Sequence, residues 1–102
     1  MSASSDPTAA VETADEVVER SVLLPKHLHA RPAGEIAQAA ARNKGTTIEI
    51  IYNGKRVNAR SVLAVMALGA VNGQQVDVAV TGPGAQQVSD EIVAILLAPE
   101  DE

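Results

Sequence analysis

Thr46-Thr47-Ile48-Glu49-Ile50-Ile51-Tyr52-Asn53-Gly54-Lys55-Arg56-Val57-Asn58-Ala59-Arg60-Ser61 is the stretch that decides the fold. Residues 46–52 are β-branched and strand-like. Asn53-Gly54 is the dipeptide that best tolerates the positive φ angles of a tight hairpin turn, so residues 55–59 should return as the paired strand. Ser61 can then cap a short helix through Leu68, with Gly69 ending it.

Downstream, Asn72-Gly73 makes another turn. Residues 75–81 alternate, with Val76, Val78 and Val80 turned inward, which predicts a strand with one buried face. Gly82-Pro83-Gly84 breaks the chain, and residues 85–98 place Val88, Ile92, Ile95 and Leu96 on one helical stripe that Pro99 stops. Upstream, residues 17–24 read as a strand ending at Pro25. An Ala-rich helix follows, starting at about Ala30 with Pro32 in its first turn. Lys44 and Gly45 should close it, as a cation near the last turn and a left-handed cap.

The order is β-α-β-β-α-β-α. It predicts an α+β open-faced β-sandwich: a four-stranded antiparallel sheet with three helices on one face. The expected domain covers residues 16–99, between a disordered acidic tail (1–15) and an acidic end (100–102).

A chain of 102 residues supports one such domain. Hydrophobic residues make up 46%, yet Tyr52 is the only aromatic, so Val, Ile, Leu and Ala must fill the core. Without Cys there is no disulfide, thiolate nucleophile or sulfur-held metal. The net charge of −5 belongs to the ends, and residues 21–99 carry +2. Such a body, lacking interleaved aromatics, argues against nucleic-acid binding and leaves docking to an acidic protein surface open. No run approaches the roughly 18 apolar residues of a membrane span, and residues 1–20 lack an apolar stretch after a basic start. A soluble, cytoplasmic protein is the expectation.

The chemistry gathers in Pro25-Lys26-His27-Leu28-His29-Ala30-Arg31-Pro32-Ala33. Here a strand ends, a short loop follows and a helix begins, so His29 stands at a helix start. Unpaired N–H groups and the helix dipole favour an anion there. Arg31 adds a guanidinium fork suited to phosphate oxygens, and a neutral imidazole is a competent nucleophile. Spacing alone leaves two readings open, a phosphoryl-accepting nucleophile or a surface histidine beside a proline-started helix. His27 and His29 also form an H-x-H pair. Two imidazoles fall short of a tetrahedral zinc set, and no Cys or third His completes it, so neither metal nor cofactor is expected. Ser61 taken alone reads as a helix cap, with Arg60 able to assist recognition if the serine is modified. Val62, Leu63, Val65, Met66, Leu68 and Val71 are too many apolar residues for one buried face of a short helix. Some belong to the core, and Leu63 and Met66 are candidates for an exposed docking patch.

The segment His27-Leu28-His29-Ala30-Arg31-Pro32-Ala33 resembles the active-site motif of the HPr family, the histidine-containing phosphocarriers of the phosphoenolpyruvate-dependent sugar phosphotransferase system. The stretch from Asn53 to Gly69 resembles that family's region around a regulatory serine. The resemblance spans about residues 17–97 and implies a stoichiometric carrier rather than an enzyme with turnover. His29 would be phosphorylated through Nδ1, receiving the group from enzyme I and passing it to an enzyme IIA component. Arg31 would contact the phosphoryl group. Ser61 would be the target of an HPr kinase/phosphorylase in bacteria that have one, slowing transfer. Val62, Leu63 and Met66 would form the docking surface of a monomer. Two departures stand out. His27 replaces the family's usual Gly, and Ile36 and Leu63 stand where Phe is frequent.

Overall fold

In a computed structural model that describes residues 16–98, strand β1 (Val17–Leu23) leads into helix α1 (Ala30–Arg42). Strands β2 (Thr47–Tyr52) and β3 (Lys55–Asn58) follow, then α2 (Val62–Ala67), β4 (Gln75–Thr81) and α3 (Ala85–Leu97). The expected acidic tail at 1–15 and the acidic end at 100–102 lie outside the described residues. The strands form one sheet in the order β1-β4-β2-β3, with every neighbouring pair antiparallel.

The β2–β3 hairpin turns at Asn53 and Gly54, whose φ angles are 53° and 82°. Both sit in the left-handed region that a two-residue type I′ turn requires. The turn fixes the register, pairing Tyr52 with Lys55 and Glu49 with Asn58. One sheet face therefore presents Val22, Ile48, Ile50, Val76, Val78 and Val80 to the helices. The other carries Ser21, Asp77, Glu49 and Arg56, and it is polar. Ser21 donates to Asp77 there at 2.8 Å, and Arg56 pairs with Glu49 at 2.5 Å.

Small side chains let the layers approach closely. Ala33, Ile36, Ala39 and Ala40 of α1 are fully buried, as are Ile92 and Leu96 of α3. Gly82 carries the sharpest steric demand. At φ 133°, a Cβ there would lie 2.7 Å from the Gly45 carbonyl oxygen, so only glycine fits between β4 and α3.

Two local expectations need correction. Gly45 does not end α1 as a left-handed cap. Asn43 is the capping residue, with φ −112°, and its side-chain amide donates to the Ala39 carbonyl at 2.8 Å. The Arg60 guanidinium donates to the Ala40 carbonyl at 3.0 Å. With side-chain donors on those carbonyls, a left-handed residue has nothing to add. The basic residue of the last turn is Arg42, not Lys44. In α3 the expected stripe of Val88, Ile92, Ile95 and Leu96 packs on the core, Ile95 partly buried, and Val93 and Ser89 are buried beside it. Ser89 tolerates this because its hydroxyl donates to the Gln86 carbonyl at 2.9 Å.

Candidate functional site

His29 is the N-cap of α1, extended at φ −91° and ψ −165°. Its carbonyl accepts the first intrahelical bond, from the Ala33 N–H at 3.1 Å. Its Nδ1 accepts from the Arg31 backbone N–H at 3.4 Å. A ring nitrogen that accepts does so through its lone pair, the same pair that a nucleophile uses. The bond is long and therefore weak. Pro32, in the first turn, has no N–H to offer. The backbone amides of this helix start are those of Ala30 and Arg31, and the Arg31 amide is the one that faces the His29 ring.

The loop before His29 alternates. Lys26 and Leu28 are buried, His27 is exposed, and His29 is partly buried. The Leu28 N–H donates to the Ala70 carbonyl at 3.1 Å, which ties this loop to the turn after α2. Arg31 is exposed at the rim. Among the described residues no group of three metal-binding side chains gathers around His27, His29 or any other position.

Ser61 is the N-cap of α2, and its hydroxyl accepts from the Ala64 N–H at 3.1 Å. It is exposed, so it serves as a cap and is also accessible to a modifying enzyme. The apolar surplus of this helix divides cleanly. Val65 and Leu68 are buried in the core and Val62 is partly buried. Leu63 is 78% exposed and Met66 36%. The helix therefore shows an apolar outer face beside Ser61. The exposed Arg60 directs its guanidinium to the carbonyls of Ala40, Asn43 and Thr46.

Lys26 is the residue that the sequence reading passed over. It is 6% exposed, and its Nζ donates to the Ile95 carbonyl at 2.9 Å. Its signal was the period-two series Val22, Leu24, Lys26, Leu28, in which every member is buried.

Comparison with known proteins places this arrangement. A family model described as "PTS HPr component phosphorylation site" matches residues 9–97. The phosphocarrier protein HPr of Buchnera aphidicola subsp. Acyrthosiphon pisum is 31% identical over 75 residues, covering 74% of this chain and 87% of that protein. The HPr of Chlamydia muridarum is 34% identical over 71 residues, covering 70% of this chain and 67% of that one. The crystal structure of HPr from Bacillus anthracis superposes with a TM-score of 0.72 at 29% identity, over 78% of this chain and 96% of that one. No helix among the described residues is long and apolar enough to cross a membrane.

Proposed function

This chain belongs to the HPr family of phosphocarriers of the phosphotransferase system, and from that premise we propose that His29 is the residue that carries the phosphoryl group. The family transfers a group stoichiometrically between proteins, so the chain is a carrier and not an enzyme. The observation that supports the site is the Nδ1 of His29 facing the Arg31 amide at the start of α1.

The transfer follows from that geometry. The Nδ1 lone pair attacks the phosphorus of a phosphohistidine on enzyme I. The Nδ1–P bond forms as the donor's N–P bond breaks, and the departing imidazole recovers its electron pair. His29 keeps its Nε2 proton. Turning Nδ1 toward the donor gives up only a weak bond. The phosphoryl oxygens then replace Nδ1 as acceptors for the amides at the helix start, and the Arg31 guanidinium supplies a second set of donors. The dipole contribution is about 0.3–1 kcal/mol at an exposed helix end. A stabilisation of that size suits a carrier, because the group must leave again to an enzyme IIA component.

Leu63, Met66 and the partly buried Val62 are the docking face in this reading. Ser61 lies beside it. A phosphate there, placed by an HPr kinase/phosphorylase, adds negative charge next to the patch and so opposes docking of acidic partners. A monomer working in the cytoplasm, where phosphoenolpyruvate supplies the group through enzyme I, fits these roles.

The test is intact-mass measurement after incubation with phosphoenolpyruvate, Mg²⁺ and enzyme I. One acid-labile phosphoryl group should be gained, and His29→Ala should gain none. An unmodified wild-type chain, or a modified His29→Ala, contradicts the assignment.

A further inference from the structure

We propose that Lys26 is a positioning residue for phosphoryl transfer: its bond to the Ile95 carbonyl pins the His29 loop to the C-terminal end of α3. The proposal rests on the reading of His29 as the carrier. Burying a lysine costs free energy unless its head group finds strong acceptors. Here the acceptor is specific. Ile95 lies in the last turn of α3, and the residue four positions on, Pro99, has no N–H with which to reach its carbonyl. The Ile95 carbonyl is thus one of the unpaired carbonyls at a helix end, where the dipole also favours a cation. Lys26 and Ile95 are separated by 69 positions in sequence, so the contact ties the two ends of the fold together.

The consequence for His29 is geometric. Between β1 and α1 the chain is held at successive inward positions. Lys26 is fixed on α3 by its side chain, and Leu28 is fixed on Ala70 by its amide. That alternation turns His27 and His29 away from the core. A slip of one residue would turn His29 inward and push Leu28 out. Leu28 is buried by its own apolar side chain, whereas the buried Lys26 adds to its stem packing the bond at its tip. Removing that bond frees the segment entering the N-cap, and with it the direction of Nδ1. Docking through the outer face of α2 would be untouched. Loss of the Lys26 donor should therefore lower the transfer step and leave partner affinity alone.

Lys26→Met keeps the stem's bulk and removes the donor, while Lys26→Arg keeps a donor. With enzyme I as the phosphoryl source, Lys26→Met should lose about tenfold in kcat with KM within about twofold of wild type. Lys26→Arg should recover most of that loss. Two results overturn the proposal: a folded Lys26→Met with wild-type kcat, or Lys26→Arg as slow as Lys26→Met, which would assign the loss to packing. Should Lys26→Met not fold, the wild-type protein decides. Phosphorylation of His29 should shift the Ile95 carbonyl ¹³C resonance, and an unmoved resonance overturns the proposal. A wild-type chain that accepts no acid-labile phosphate at all would instead contradict the carrier reading of His29.

Discussion

His27 and His29 are close in sequence, yet the chain gives them different surroundings. His29 caps a helix and points Nδ1 at a backbone amide, while His27 stands exposed on the preceding loop. Of the two, His29 is the one that faces the backbone amides of a helix start. His27→Gly should therefore still take up one phosphoryl group from enzyme I, measured by intact mass. Arg31 acts at the same scale. Lysine in its place keeps the charge and loses the planar fork. Arg31→Lys should weaken transition-state stabilisation by about 1 kcal/mol, roughly fivefold in kcat, read from transfer kinetics with enzyme I. The helix start at His29 was readable because its signals are local. A histidine, an arginine and a proline in one turn already define a helix start and its donors. Lys26 was not readable in the same way, because its partner lies at the other end of the sequence.

Helix ends show the same division between local and distant causes. The start of α2 is written in Ser61, whose hydroxyl takes the Ala64 amide, and the hairpin is written in Asn53-Gly54. The end of α1 is written only in part next to it, in the Asn43 amide that takes the Ala39 carbonyl. Arg60, a residue of the following hairpin segment, reaches back to the Ala40 carbonyl and supplies what a left-handed glycine would otherwise have provided. Gly45 looked like a cap because its left-handed tolerance is a general signal, whereas the Asn43 side chain and the tertiary Arg60 donor together take the carbonyls here. Arg60→Met should cost about 1–2 kcal/mol in urea unfolding and speed hydrogen exchange in the last turn of α1. Gly82 is the matching case for a turn. Gly82→Ala must move the Gly45–Thr46 backbone or strain its own, so a loss of about 1–3 kcal/mol is expected in the same assay.

Across the whole molecule, the antiparallel sheet buries one face against three helices and leaves the other polar. The period-two valines of β4 and the hairpin turn made this architecture legible, and the core closes with Ala, Val, Ile and Leu in place of larger aromatics. The same packing sorts α2 into a buried side, with Val65 and Leu68, and an outer side with Leu63 and Met66, the two that the sequence reading expected to be exposed. Leu63 contributes almost nothing to the core at 78% exposure. Leu63→Ala should keep unfolding stability within about 0.5 kcal/mol while raising KM for enzyme I severalfold. The central claim, that His29 carries the group on Nδ1, is tested most directly by ¹⁵N NMR of the chain phosphorylated through enzyme I. Phosphorus coupling at Nδ1 of His29 is the expected result, with His27 unmodified. Coupling at Nε2, or on the ring of His27, would contradict it.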